Sequence, residues 1–171
     1  MSRHTPKVAL VPSAFFDAAS AREILSRTVL LEEDDKVEYI SLPEYSAELV
    51  YSLSVPEPSS PAPEPSSPVP EPVEGPELYN VIKALSGIGE HNRIAASYGD
   101  GVLSLAVAQG EKLLLANVFS AADFTTAEYF LFMAVRKLQL NPEVSTVYFL
   151  TSLSGDEEMS LYRYFKSVEQ I

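Results

Sequence analysis

Apolar and polar positions alternate along several short segments of the chain, and this pattern predicts β-strands. The run 7–12 is aliphatic and closes at Pro12, which is typical of a buried strand. Residues 37–42 and 48–53 each alternate between apolar and polar side chains, which predicts two further strands. Between the first strand and these two, apolar residues recur at near-helical spacing, so we expect a helix over 14–31.

The second half of the chain begins with the most regular alternation. Strands are predicted over 93–98, 102–108 and 112–119, separated by Gly99-Asp100-Gly101 and Gln109-Gly110-Glu111. Glycine and aspartate in so short a connection are typical of hairpin turns. The three strands therefore form an antiparallel meander.

Capping residues mark the helices around this meander. Pro76 and Glu77 open a short helix that ends near Leu85, with Gly87 as a left-handed cap. Thr125 and Glu128 form a capping box, with Phe124 and Tyr129 as its hydrophobic staple. The helix that follows is apolar almost all round over 129–135, so we expect it to be buried between layers.

The C-terminal region continues with a strand and a helix. The strand is predicted over 146–150, and Ser154 with Glu157 forms a second capping box. The helix that follows places Leu161, Tyr164, Phe165 and Val168 on one face. The second half thus reads βββαβα, which favours a mixed sheet with helices packed on it.

Residues 55–76 have a different character. The sequence Pro-Glu-Pro-Ser-Ser-Pro occurs at 56–61 and again at 63–68, and a partial third copy starts at Pro70. Repeated prolines prevent helix and sheet hydrogen bonding, so we expect an extended, disordered insertion. Such a segment is either a ligand for a proline-binding module or a tolerated loop.

Composition narrows the classes of function. The chain has 171 residues, 46% of them hydrophobic, which is enough to bury a sizeable core. Its formal net charge of -12 repels phosphate backbones, so nucleic acid is not an expected partner. The absence of cysteine suits a reducing compartment, and no apolar run is long enough to span a membrane. We expect a cytoplasmic protein.

Three segments carry a family resemblance: Lys7–Asp17, His91–Gly101, and Ala108–Asn117 continuing to Phe130. Together they resemble an uncharacterised family from Bacteroidetes, domain of unknown function 3822 (DUF3822). The resemblance covers nearly the whole chain outside the proline-rich insertion. It implies an α/β actin-like ATPase fold made of two ribonuclease H-like halves, and it assigns no activity.

The resemblance also implies how the chain divides. Residues 1–54 would be part of a first ribonuclease H-like subdomain, 55–76 the insertion, 77–90 a connecting helix of the first subdomain, and 91–171 the second subdomain. Family members are longer at the N-terminus, so the chain is expected to be truncated there and its first half incomplete. The missing segment would correspond to the first meander and helix of the first half, which supply the first phosphate-binding loop in actin-like ATPases.

The turn between the first two strands of the meander is the candidate nucleotide-binding site. Actin-like ATPases place a second phosphate loop there, led by an acidic residue. Gly99 and Gly101 would let backbone N–H groups approach a phosphate, and Asp100 would hold Mg²⁺ through water. The leading acidic position, however, falls on Ser97, which can neither orient a metal-bound water nor act as a base. An ordinary hairpin turn is the alternative interpretation.

No other residues form a catalytic or metal-binding set in the sequence. His91 has no acid or serine partner at recognisable spacing, and Ser86-Gly87-Ile88-Gly89 follows a helix where a phosphate loop requires a strand. Consecutive acids at 156–158 fit the first turn of a helix. The sequence therefore predicts a non-catalytic, actin-like scaffold that binds a protein partner and needs no cofactor. The alternative is an ATPase that binds ATP and Mg²⁺.

Overall fold

The computed structural model of the chain describes residues 2–53 and 75–171, which form two β-sheets and four α-helices. Of the predicted proline-rich insertion at 55–76, all but the last two positions lie outside the described residues. The predicted division into subdomains stays a prediction.

The first sheet has three antiparallel strands in the order β1-β3-β2. These strands are β1 (Val8–Pro12), β2 (Val37–Leu42) and β3 (Ala47–Ser52). The aliphatic run predicted β1 and the alternation predicted β2 and β3, each to within one residue. β3 is the central strand and pairs with both neighbours, which explains why Leu49 and Val50 are fully buried.

The helix predicted over 14–31 is wrong in most of its length. Two short 3-10 turns occupy Ser13–Phe15 and Ala18–Ser20, and only Ala21–Ser26 (α1) is α-helical. Asp17 explains the interruption, because its carboxylate accepts hydrogen bonds from the Ala19 N–H and the Ser20 hydroxyl. Such local side-chain bonds give the backbone an alternative to the helix.

The second sheet has five strands in the order β6-β5-β4-β7-β8. The strands are β4 (Asn92–Gly99), β5 (Val102–Gln109), β6 (Lys112–Ser120), β7 (Thr146–Phe149) and β8 (Ser167–Gln170). The helices are α2 (Glu77–Leu85), α3 (Phe124–Lys137) and α4 (Gly155–Leu161). The first three strands are antiparallel, whereas β4, β7 and β8 are parallel. The order βββαβα therefore holds from β4 to α4.

The final helix was predicted too long. It ends at Leu161, and the chain turns back into the edge strand β8, where Val168 pairs with Val147 in parallel register. Leu161 and Phe165 are buried as the apolar spacing suggested, but Tyr164 is 42% exposed. The free edge of β7 provides backbone hydrogen-bond partners that a longer helix would leave unpaired.

Two other helix ends differ from the sequence prediction. The side chain of Asp123, not Thr125, caps α3 by accepting a hydrogen bond from the Thr126 N–H at 2.7 Å. Glu128 instead accepts a bond from the Ser160 hydroxyl, so the predicted capping box is absent at this helix. Gly87 is not left-handed, because the positive-φ glycines in the described ranges are Gly101 and Gly110. The capping box of Ser154 and Glu157 is confirmed.

The apolar residues of α2 are buried between the two sheets. Leu78, Val81, Ile82 and Leu85 are at most 1% exposed, and their cluster includes side chains from both sheets. The second sheet presents small residues to this helix, among them Ala95, Ala106 and Ala108. Side chains of this size allow a helix to approach the sheet closely. A separate cluster lies on the opposite face of the second sheet, beneath α3 and α4.

Asp35 fixes the acidic loop before β2 to the first sheet. Its carboxylate accepts hydrogen bonds from the Lys7 ammonium at 2.6 Å, the Glu32 N–H at 2.7 Å and the Ser52 hydroxyl at 3.0 Å. The bond from Lys7, followed by that from the Glu32 N–H, holds the pKa of Asp35 well below its usual range. The sequence pattern gave no indication of this network.

We expect the Asp35 network to make the free energy of unfolding decrease at acidic pH. Since its pKa is lowered in the folded state, the stabilisation is complete above the unfolded pKa of about 3.9 and is lost as the pH falls below it. Urea unfolding between pH 7 and pH 3 should give a shallower pH dependence for Asp35→Asn, with lower stability at pH 7. Asp34→Asn, at an exposed position of the same loop, is the matched control. Equal pH profiles for the two variants would contradict this account.

Candidate functional sites: the β4–β5 turn and the α3 face

The turn between β4 and β5 is a two-residue hairpin. Gly99 pairs with Val102, and the two residues between them, Asp100 and Gly101, have φ angles of 51° and 71°. Two consecutive positive φ angles match the right-handed twist of the strands and favour aspartate followed by glycine. The carbonyl of Gly101 accepts a bond from the Ala121 N–H at 2.8 Å, so the turn also holds the end of β6. Gly101 therefore has a structural role of its own.

Because Gly99 has no side chain, another group can lie close to its backbone. In this structure that group is the imidazole of His4. A Cβ at this position would lie 2.6 Å from Nε2 of His4. The segment around His4 is held in place by two backbone bonds, from the Arg3 N–H to Gly75 and from the Glu77 N–H to Arg3. The imidazole thus occupies the space over Gly99 that the sequence suggested for a phosphate.

Ser97 is fully buried and faces α2. Its hydroxyl donates to Oε1 of Glu77 at 2.7 Å, and the amide of Asn80 donates to the other carboxylate oxygen at 3.2 Å. Glu77 itself is only 6% exposed. Sequence reasoning missed this carboxylate, because an acid at the start of a helix is already explained by the helix dipole. Glu77 lies on the same face of α2 as Leu78 and Val81, and this position in the sequence could have indicated that its carboxylate is buried.

Tyr98 lies on the other face of the sheet. Its hydroxyl donates to the carbonyl of Ala121 at 3.0 Å, and its ring contacts Phe124 edge-on at 5.7 Å. The structure therefore brings Ser97, Gly99, Glu77 and His4 together on the α2 side and leaves Asp100 exposed at the tip. His91, next to the first residue of β4, lies at the opposite end of that strand and is exposed.

The described ranges 2–53 and 75–171 contain no group of three or more His, Asp or Glu side chains that could hold a metal ion. No helix in the same ranges is long and apolar enough to cross a membrane.

A second candidate site is the outer side of α3, where the prediction of burial on all sides is wrong. Tyr129 is 62% exposed, although Ala127, Leu131, Ala134 and Val135 are buried against the sheet. A shallow depression of about 390 Å³ lies on this outer side. It is lined by Tyr129, Phe132, Met133, Arg136 and Lys137, which we call the α3 face.

Contacts with neighbouring side chains hold part of the α3 face in place. The ring of Phe132 lies 5.0 Å from that of Tyr164, which follows α4. The guanidinium of Arg136 lies over the same Phe132 ring at 5.9 Å, a distance typical of a cation–π contact. The α3 face therefore combines aromatic, thioether and cationic groups on one helix.

The ends of α3 and α4 carry opposite charges. Both helices run antiparallel to β7 and lie side by side, as the bond from Ser160 to Glu128 shows. Their N-terminal ends carry Asp123 and Asp156, Glu157 and Glu158. Their C-terminal ends carry Arg136 and Lys137 and, beyond α4, Arg163 and Lys166. Lys166 lies at that end because its N–H donates to Pro142, in the loop after α3.

Comparison with known proteins identifies the family and the fold. The sequence model of a family described as "Protein of unknown function (DUF3822)" matches residues 76–168. A crystal structure from Bacteroides thetaiotaomicron, described as having an actin-like ATPase fold and unknown function, superposes with a TM-score of 0.75 at 17% identity. The match covers 99% of this chain and 66% of that one, so the chain has this fold and spans about two thirds of its length.

A weaker similarity connects the chain to a PilM-PilN type IV pilus biogenesis complex. The TM-score is 0.46 at 13% identity, with 96% of this chain and 65% of that one covered. No curated protein sequence matches the chain significantly.

The contact between Gly99 and His4 predicts a coupled effect of two substitutions. Gly99→Ala should lower the free energy of unfolding by about 1 kcal/mol or somewhat more, because its methyl group crowds the imidazole. In a His4→Ala background the same change should cost almost nothing. Urea unfolding of the four proteins in this double-mutant cycle measures the coupling. Equal costs in both backgrounds would contradict the contact.

The hydrogen bond from Ser97 to Glu77 predicts a second set of stabilities. Ser97→Ala should destabilise the chain by about 1–3 kcal/mol, because it leaves a buried carboxylate oxygen without its donor. Ser97→Asp should cost more, since two carboxylates would then face each other.

Ser104→Ala is the matched control for these variants. Ser104 pairs with Ser97 across the two strands, and its hydroxyl has no hydrogen-bond partner within the described residues. We expect it to be nearly neutral in thermal or urea unfolding. A loss as large as that of Ser97→Ala would show that the bond to Glu77 is not what Ser97 contributes.

Proposed function

This chain belongs to the DUF3822 family, and we propose that it is a non-catalytic scaffold that binds another protein chain through the α3 face. The observation that carries the proposal is the exposure of aromatic and cationic side chains together on one helix. Residues that dominate protein–protein binding are enriched in tyrosine and arginine, surrounded by apolar contacts. Tyr129, Phe132 and Arg136 supply that combination.

The rigidity of the α3 face also favours binding. Tyr164 and Arg136 both contact the Phe132 ring, so we expect the ring to be ordered before a partner arrives. Ordering of side chains on association costs about 0.5–1.5 kcal/mol for each flexible residue. A partner that binds an ordered ring avoids part of that cost. Met133, beside it, is flexible and adapts to the shape of the partner.

The environment of the β4–β5 turn supports a scaffold rather than a nucleotide site. The Ser97 hydroxyl donates a hydrogen bond to Glu77, and the His4 imidazole occupies the approach to Gly99. A phosphate at Gly99 would have to displace the imidazole, and it would lie on the sheet face that carries the buried Glu77 carboxylate. The imidazole blocks this position sterically, and the carboxylate repels an anionic ligand. We place the protein in the cytoplasm, since a chain without cysteine suits a reducing compartment.

A capture experiment tests binding at the α3 face. The tagged chain should retain a protein from cell extract, and Tyr129→Ser combined with Phe132→Ser should lose it. Phe15→Ser, at an aromatic residue that is 80% exposed far from α3 in the sequence, is the control and should retain it. Calorimetry with the purified partner then measures the affinity of the three proteins. Equal retention by all three would overturn the assignment of the α3 face.

Calorimetry with Mg·ATP and Mg·ADP separates the scaffold from the alternative, an actin-like ATPase. Folding of the sample is first verified by circular dichroism. We expect no saturable heat from the folded chain. Saturable binding at micromolar concentration that is lost in Asp100→Ala would reject the scaffold and make the turn from Gly99 to Gly101 a nucleotide site.

A further inference from the structure

We propose that the chain bound at the α3 face is a second copy of this chain, in a two-fold dimer with the α3 helices antiparallel. The inference rests on the proposed function and names the partner at the same site. Two features carry it: the spacing of the side chains on the outer side of α3, and the charges at the two helix ends.

The spacing of the α3 face is that of a surface which packs against another helix. Tyr129, Phe132, Met133 and Arg136 stand at positions i, i+3, i+4 and i+7, and Lys137 at i+8. Residues at these intervals form one stripe along a helix. The opposite stripe of α3 is already buried on the sheet. A second helix laid along the exposed stripe would cover the aromatic rings over most of the length of α3.

The charges on this side of the molecule favour an antiparallel copy over an unrelated helix. Acidic residues lie at the N-cap of α3 and in the first turn of α4, and basic residues lie in the last turn of α3 and in the segment after α4. A two-fold axis across the middle of α3 places the acidic end of each copy against the basic end of the other. The same arrangement also pairs the helix dipoles in opposite directions. A two-fold interface needs this kind of self-complementary surface.

The net negative charge of each copy opposes dimerisation, and this repulsion acts over a longer range than the contacts between the helix ends. Each copy carries a formal charge of -12, so two copies repel each other in dilute buffer. At physiological ionic strength the Debye length is about 8 Å, which screens distant charges more than those in contact. We therefore expect the dimer at 150 mM salt, where contacts between the helix ends outweigh the general repulsion.

Sedimentation equilibrium of charge-reversed pairs tests the geometry. The wild-type chain should be a dimer at 150 mM salt and micromolar concentration. Arg136→Glu with Lys137→Glu removes the net positive charge of the C-terminal ends, and Asp156→Lys with Glu158→Lys removes the net negative charge of the N-terminal ends. Each double variant alone should dimerise at least tenfold more weakly than wild type. An equimolar mixture of the two should recover the dimer.

The control for charge alone is Lys36→Glu with Lys112→Glu, two exposed lysines outside α3 and α4, which changes the net charge as much as Arg136→Glu with Lys137→Glu does. It should dimerise like wild type. A monomeric wild type at 200 μM, or a mixture that does not recover the dimer, would overturn the inference. Circular dichroism verifies that each variant is folded.

Cross-linking locates the two-fold axis, because the natural chain has no cysteine. Met133 lies at the midpoint of the α3 face, so Met133→Cys should form a disulfide between copies when diamide takes up the two electrons and protons. Phe15→Cys, an exposed control outside the face, should stay monomeric on a non-reducing gel. Cross-linking of both variants alike would reject the antiparallel axis.

The outcomes for the copy and for the proposed function are separable. A monomeric wild type that still captures another protein through Tyr129 and Phe132 would reject the second copy and keep the scaffold. A monomeric wild type with no capture that depends on these residues would reject both.

Discussion

The burial of α2 between the two sheets is the constraint on which most of this structure depends. Its four aliphatic side chains are at most 1% exposed and touch residues of both sheets. Burying each such side chain stabilises a fold by about 1.5–3 kcal/mol. The face of the second sheet that receives the helix carries alanine, serine and glycine, because larger side chains would hold the helix away. One short helix thereby joins two sheets that share no strand.

The same constraint decides the chemistry near the β4–β5 turn. Since the first residue of α2 is a glutamate, close packing brings a carboxylate into the interior, where it requires donors. Ser97 and Asn80 supply them. Likewise, Gly99 leaves a space beside the helix that His4 fills. Ser97 and Gly99, which the sequence analysis predicted for a nucleotide site, thus contact α2 and the N-terminal segment.

On the far side of the second sheet, packing is one-sided. α3 buries a narrow stripe of small and aliphatic residues and leaves aromatic and cationic residues on its outer side. Because α3 and α4 both return in the same direction between parallel strands, their charged ends coincide. The topology therefore places the acidic residues of both helices at one end of this surface and the basic residues at the other end. The same parallel arrangement places Tyr164 against Phe132.

Local chemistry was readable from the sequence. An aliphatic run indicated β1, and alternation located the other strands up to β6. The Asp-Gly pair indicated the β4–β5 hairpin, since period-two burial and positive φ angles restrict the choice of residue directly. The capping box at Ser154 could be predicted because the unpaired N–H groups of the first helical turn favour serine and glutamate at these two positions. Helix length could not be predicted: Asp17 broke the first helix through its own hydrogen bonds, and pairing with β7 turned the end of the last helix into β8.

The candidate sites divide in the same way. The sequence identified Ser97, Gly99, Asp100 and Gly101 as one turn, but only the tertiary structure decided that Ser97 and Gly99 face α2 and that Glu77 and His4 meet them there. It also decided that the apolar residues of α3 are covered on one side and exposed on the other. The physical reason is that burial and long-range hydrogen bonds depend on which elements become neighbours, and residue spacing within a single element does not encode that.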